Sequence, residues 1–249
     1  MTRSNLDSVW DPAGLANPHA QADKAARVRV MFDRIAPTYE RVNRVLSAGR
    51  DRYWRRAAVD MAGVGPNDAV LDVACGTGDF TRAFAAAGPA LVAGCDFAAE
   101  MLALARRRDA ASIAWFQADG LSLPFADESF TLVSCAFGVR NFQDLVHGLR
   151  EFHRVLAPGG RAVILEFSMP GSRLLRAAYT LYFRRILPRV ATALSGDRSG
   201  AYRYLPQSVL SFVDAAGMTA ALRSARFSDV RQKALTGGIV TVHLARKDA

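Results

Sequence analysis

The chain has no long uncharged apolar run. The apolar and aromatic stretch Leu174 to Ala193 is interrupted by Arg176, Arg184, Arg185 and Arg189 and is too charged to span a bilayer. The first twenty residues lack the apolar core of a secretory signal and carry Pro12, Gly14 and Pro18 instead, so a cytoplasmic protein is expected. Cysteine is scarce. Cys75, Cys95 and Cys135 share no CxxC or metal-ligand spacing; each lies in or at the end of a strand-like run and reads as a buried, reduced thiol. The four histidines are scattered, and His147 and His153, six apart on one predicted helix, face different ways, so no metal centre is expected. Internal repeats and low-complexity tracts are missing as well.

Half of the 249 residues are hydrophobic (51%), enough for one α/β domain with its own core. A net charge of +9 favours an anionic partner, either nucleic acid or an acidic membrane surface. Residues 1–21 lack periodicity and read as a loose tail, with a single domain over 22–249. Within it, residues 22–62 carry three helical patterns, read as a lid or a cap on a sheet edge, and residues 170–205 form a basic amphipathic insertion. The arginines and aromatics of that insertion suit a helix at a membrane interface or a cover over an apolar pocket.

Between these segments strand and helix alternate five times, which predicts a parallel sheet covered on both faces. The predicted strands begin with Val70–Val73 and continue with Leu91 to Asp96, Ile113 to Gln117, Phe130 to Phe137 and Ala162 to Phe167. Two closing strands, Phe227 to Gln232 and Ile239 to Ala245, are joined by a link so short that they must pair antiparallel. The first strand breaks into Cys75-Gly76-Thr77-Gly78, and helical spacing resumes at Phe80. Side chains at Gly76 or Gly78 would obstruct a ligand approaching the turn's N–H groups. The hydride-transfer fingerprint needs a further glycine where Thr81 stands, so a pyrophosphate is disfavoured. The acid about twenty residues on, Asp96, is placed to accept from ribose hydroxyls. The turn suits a ribose-bearing cofactor without pyrophosphate. Asp119, just past the third strand, can accept from an adenine amino group or cap a turn.

The fourth strand ends in Ser134-Cys135-Ala136-Phe137. Cys135 has apolar neighbours and suits burial better than covalent attack on RNA. Next come Gly138, Arg140 and Asn141, a cation and an amide at a strand's carboxyl end, suited to a phenolate or enolate ring. The alternative is a surface turn in which Asn141 caps the next helix.

The strand-turn-acid pattern Leu71-Asp72-Val73-Ala74-Cys75-Gly76-Thr77-Gly78 and Asp96 resembles the class I S-adenosylmethionine-dependent methyltransferases. Met31 to Asn43, Leu123-Pro124-Phe125, Phe137 to Asn141, Arg154 to Gly160, Leu165 to Ser168 and Tyr202 to Leu205 look like the quinone-biosynthesis C-methyltransferases, from about residue 28 to 245. The resemblance implies a Rossmann-like fold with seven strands, mostly parallel with an antiparallel last strand, and an N-terminal helical lid. It also implies C-methylation of a prenylated quinol, demethylmenaquinol or a benzoquinol of ubiquinone synthesis, without nucleic acid. S-adenosylmethionine contacts are implied at Thr77, Asp96, Asp119 and Gly120, with Asp72, Gly76 and Gly78 completing the cofactor motif. Arg140, Asn141 and Tyr39 are the candidate catalytic residues. A quinol with its tail in the bilayer implies peripheral contact with an anionic membrane face; the assembly stays open, a homodimer among the options. Ala136 stands where many members have a cofactor-contacting serine. Rival readings are a methyltransferase for another apolar phenol or a sterol, and a non-catalytic binding protein.

Overall fold

The computed structural model describes residues 9–108, 112–197 and 199–249. Seven strands form one sheet: β1 Ala69–Val73, β2 Leu91–Asp96, β3 Ala114–Gln117, β4 Phe130–Ala136, β5 Leu156–Phe167, β6 Ser228–Leu235 and β7 Val240–Arg246. Their order is β3-β2-β1-β4-β5-β7-β6, parallel from β3 to β5, with β7 antiparallel to both β5 and β6. The expected fold class holds, with the last two strands both joined antiparallel. Chain order reverses between β1 and β4, and a crevice opens there beyond the strands' carboxyl ends, the usual ligand position in open α/β sheets.

Strands buried on both faces explain the near-continuous apolar runs. Leu71, Val73, Val133, Cys135 and Ile164 pack against Leu149 and Phe152 of helix α7 (Leu145–Val155) and Met218 and Leu222 of α11 (Ala215–Ser224). The opposite face, with Val70, Leu132, Val163 and Val242, meets Trp54 and Ala58 of α4 (Arg50–Ala62) and Phe80 and Phe84 of α5 (Asp79–Ala85). A further helix, α6 (Ala99–Arg107), follows β2.

A third core lies outside the sheet. Val28, Met31 and Ile35 of α2 (Lys24–Ile35) and Val42 of α3 (Tyr39–Leu46) join Tyr202 and Tyr204 of α10 (Ala201–Leu210). The segment expected to be a loose tail belongs here from Val9 onward. Trp10 is fully buried and stacks on Tyr204 at 4.4 Å, and Asp11 caps the short α1 (Pro12–Ala16) by accepting from Gly14 N. A single tryptophan with a ring to stack on outweighs the proline-rich spelling that suggested disorder. Residues 1–8 lie outside the described part.

Three local expectations change. The helix expected from Phe142 begins at Leu145, because Asp144 supplies the N-cap and residues Val139–Asn141 form a 3-10 turn. Strand β5 begins at Leu156 instead of Ala162, since residues 157–160 bulge between two paired stretches. Pro188 is expected to break the basic insertion, yet its helix is continuous: α8 (Arg173–Leu181), a π turn (Tyr182–Ile186) and α9 (Leu187–Ser195), with Pro188 in the first turn of α9, where a missing N–H costs little.

Candidate functional site

Beyond the carboxyl ends of β1, β2 and β4 lie two adjoining cavities. The narrower, about 60 Å³, is lined by Ala74, Gly76, Asp96, Phe97, Asp119, Gly120, Leu121, Asn141, Phe142 and Ala25 of the lid, among others. The larger, about 200 Å³, is walled by α2, α3, α4, the insertion and α10, and is mostly apolar and aromatic, with Arg140, Thr236 and several residues of α3, α4 and the turn between them as its polar members. Phe32, Tyr39 and Phe137 line both. They form the partition between the two.

The glycine turn is built from beneath. Asp72, fully buried, accepts from Thr81 Oγ1 at 2.7 Å and Ser134 Oγ at 2.8 Å, tying β1 to α5 and β4. Asp96 accepts from Gly76 N and Ala98 N, each at 2.8 Å, so it fixes the turn and the start of α6 while facing the cavity. Gly76 has φ +56°, and a Cβ there would point into open space in the cavity, leaving the backbone approachable. Gly78 serves another purpose than the one expected. A Cβ there would stand 2.5 Å from the Trp115 ring, so this glycine is needed for packing against β3.

Of the seven cofactor candidates, Gly76, Asp96, Asp119 and Gly120 therefore reach the cavity. Asp72, Thr77 and Gly78 lie outside its lining, and Asp72 works through Thr81 and Ser134. Asp119 caps its own turn by accepting from Leu121 N at 2.9 Å, and it also faces the cavity.

Arg140 faces the larger cavity from the loop after β4, and the surface-turn alternative fails because it is only 5% exposed. Its Nη1 pairs with Glu166 Oε1 at 2.8 Å and donates to the Phe137 carbonyl, while its Nε is buried without a partner. Burial works against the cation, but Glu166, with Tyr204 and Tyr39 nearby, more than offsets it, so the guanidinium stays charged. Phe137 holds φ +58°, a conformation rare for an aromatic residue and one that accumulates at functional sites. Tyr39, half-buried on the partition, has its phenol pushed up by burial, partly offset by Arg140 and Arg55, and it stays a neutral donor at neutral pH. Asn141 does not join Arg140 in the larger cavity. Its Oδ1 accepts from Tyr204 OH at 2.9 Å, it lines the narrower cavity, and Asp144 rather than Asn141 caps the next helix.

Sequence reasoning assigned no role to several participants. A lone acid in the apolar run of β5 had to find a buried cation, and that signal could have singled out Glu166. Lys24 is 2% exposed and donates to the Phe142 carbonyl, and Ala25 N meets Gln143 Oε1 at 3.1 Å, so α2 is fastened across the cofactor side. Burial, then the charge of Arg140, lowers the Lys24 ammonium to about 8. The thiols of Cys95 and Cys135 are buried and that of Cys75 half-buried; burial pushes all three up, away from thiolate chemistry. Among the described residues no group of His, Cys, Asp and Glu could hold a metal ion.

Residues 20–247 match the ubiE/COQ5 methyltransferase family. A demethylmenaquinone methyltransferase of Deinococcus radiodurans is 46% identical over 99% of this chain and 100% of its own. A ubiquinone/menaquinone biosynthesis C-methyltransferase of Geobacter sp. is 43% identical over 92% of this chain and 100% of its own. Among solved structures, an S-adenosylmethionine-dependent methyltransferase from Thermotoga maritima superposes with a TM-score of 0.61 at 18% identity, covering 87% of this chain and 98% of its own. Phosphoethanolamine N-methyltransferase 2 of Haemonchus contortus, solved with S-adenosylmethionine, gives 0.57 at 14%, over 78% of this chain and 52% of its own. At such identities the structures speak for the fold.

Proposed function

The chain belongs to the ubiE/COQ5 methyltransferase family and is an S-adenosylmethionine-dependent C-methyltransferase, and from that premise we propose that it converts demethylmenaquinol to menaquinol at the junction of the two cavities. The observation that carries the reading is a buried, charged Arg140 with a free Nε inside a mostly apolar and aromatic cavity, one aromatic partition away from the Gly76–Asp96 turn. Charged donors in so apolar a space suit a flat ring bearing oxygens.

Asp96 and the open face of Gly76 would hold the ribose and the adjoining chain of the cofactor, with Asp119 and Gly120 toward the base. S-adenosylmethionine supplies a methyl group already activated on a sulfonium. The protein's share is to align the ring carbon with that methyl, which is worth about 7–11 kcal/mol when the geometry is right. The remaining share is to hold the electron density that carbon attack requires. Arg140 would stabilise the quinol oxygen as it becomes an oxyanion, and Tyr39 would donate across the partition.

Burial pushes the Asp96 carboxyl up to about 6, partly offset by the Ala98 and Gly76 N–H groups. Ribose hydroxyls donate to the carboxylate form, so S-adenosylmethionine affinity should weaken as pH falls through about 6. Asp96→Asn can keep only one of the two backbone contacts, because its Nδ2 cannot accept, and it should weaken binding at neutral pH by at least about 1.5–3 kcal/mol while removing that pH dependence. Calorimetry across this range decides it; equal affinity for both proteins would take Asp96 out of the site.

The insertion supports access from a membrane. Tyr179, Phe183 and Leu187 turn inward, while Leu174 (83% exposed), Leu181 and Ile186 turn outward beside exposed Arg176, Arg184, Arg185 and Arg189. The inward face covers the apolar pocket, and the outward face supports the proposed contact with a membrane. Tyr182 OH donates to the Leu46 carbonyl at 2.8 Å, so Leu46, Tyr182 and Leu187 wall the cavity while their neighbours Val45, Leu181 and Ile186 face out. A single layer of helix separates the cavity from the outer face. Among the described residues no helix is long and apolar enough to cross a membrane. Each arginine near an anionic surface contributes about 1 kcal/mol.

Labelled S-adenosylmethionine and demethylmenaquinol in vesicles test the proposal. The label should appear in menaquinol, faster in anionic than in neutral vesicles and less so at high salt. No labelled menaquinol would refute the substrate; equal rates in both lipids would leave the insertion as a pocket cover only.

A further inference from the structure

The larger cavity contains one carboxylate among its lining residues, Asp51 of α4. It is 8% exposed, accepts from Ser47 Oγ at 2.9 Å through Oδ1, and pairs with Arg55 Nη1 at 2.7 Å through Oδ2. Arg55 also lines the cavity and stands over the Phe137 ring at 5.8 Å, and its Nε is buried without a partner, as is that of Arg140. Two arginines with unused donors thus flank the partition residues. The second of them carries a carboxylate.

We infer that Asp51 is the base that takes the proton of the quinol hydroxyl beside the carbon being methylated, with Arg55 as its charge partner. The inference rests on the quinol reading above. An apolar cavity penalises the appearance of charge, and a proton sent to water would leave an oxyanion there. Transfer to Asp51 keeps the local charge constant, because the Arg55 cation faces a carboxylate before the transfer and the quinol oxyanion after it. Arginine itself is a poor base, and Tyr39 is held neutral by burial. In the balanced step the quinol O–H bond breaks and its proton goes to Asp51. The electron pair left on oxygen feeds the adjacent ring carbon, which bonds to the methyl group as the methyl–sulfur bond breaks and leaves its pair on sulfur. The ring C–H proton is then lost to water, aromaticity returns, and the oxygen recovers its proton from Asp51, for a net release of one proton. Sharing this cavity with Asp51 are Arg50 and Arg55 from its own helix, Tyr39 from α3, Arg140 from the β4 loop, Tyr182 from the insertion and Tyr202 from α10.

Wild type, Asp51→Asn and Asp51→Ala are compared on a short-tail demethylmenaquinol from acid to alkaline pH, with S-adenosylmethionine affinity as the check on folding. Asp51→Asn should lose about 10²-fold or more in kcat with KM within a few-fold, the scale of a missing general base. Its rate should climb with pH where the wild-type rate has levelled, because hydroxide then does the work. Added formate should restore part of the Asp51→Ala rate. If Asp51→Asn does not fold, Asp51→Glu must keep the wild-type pH profile and Asp51→Ser must lose it. A kcat within about threefold of wild type, or a lowered rate with an unchanged profile and no formate rescue, overturns the assignment. Failure of the wild type to methylate any quinol would instead overturn the substrate.

Discussion

Arg140→Ala should lose turnover by about 10²- to 10³-fold, the scale of removing one preorganised donor from an oxyanion. It should also lose about 3–5 kcal/mol of stability, because Glu166, 2% exposed, is left with a buried and unpaired charge. The two losses are separable. Glu166 accepts from Phe167 N at 2.9 Å as well as from Arg140, but it lines neither cavity. Replacing both partners together, Arg140→Met with Glu166→Leu, removes the orphaned charge and should recover most of the stability while turnover stays low. Cofactor affinity should change by no more than a few-fold, since Arg140 stands outside the narrower cavity. Denaturant unfolding and single-turnover rates on the two variants and the wild type check this. A double variant as active as wild type would reduce Arg140 to a structural partner of Glu166.

The second large effect is on stability against pH. Burial pushes the Asp72 carboxyl up to about 7, against hydrogen bonds from Thr81 and Ser134 that favour its charged form. The folded state therefore holds this proton through a range in which the unfolded chain has released it. The stabilisation is fully present below the unfolded value of about 4 and is lost as pH rises to about 7, a change on the order of 3–4 kcal/mol. Asp72→Asn cannot titrate and should show no such loss, so its stability relative to wild type should rise across that interval. The difference between the two proteins is the quantity to measure, because other buried groups, Asp96 and His243 among them, titrate nearby. A difference that does not change with pH would mean that Asp72 stays ionised in the fold.

The sheet, its glycine turn and the position of Asp96 were legible in the sequence because strand burial and turn geometry are local properties. Arg140 was legible as a cation at a strand end, and its fixed pairing with Glu166 makes it a buried one. What sequence could not show depends on contacts between distant segments. Gly78 looks like a ligand-facing glycine until Trp115, from two strands away, is placed against it. Asn141 was read with Arg140 because they are adjacent, yet Tyr204 of α10 holds its amide on the other side of the partition. Asp51 and Arg55, four apart on a basic helix, spell an ordinary surface pair. Only the packing of α3 and the insertion around α4 turns that pair into a cavity wall.

Leu46, Tyr182 and Leu187 look inward while Val45, Leu181 and Ile186 look outward, so the proposed quinol ring need not carry its whole tail with it. Full extraction of an isoprenoid chain would cost about 0.8 kcal/mol for each methylene brought into water. If the insertion rests on a leaflet as proposed, most of that cost is avoided: the ring is drawn aside and the tail stays in hydrocarbon. Such an enzyme samples its substrate in two dimensions. Its rate follows the mole fraction of quinol within the leaflet, inert lipid acts as a diluent, and the aqueous volume around the vesicles drops out of the kinetics.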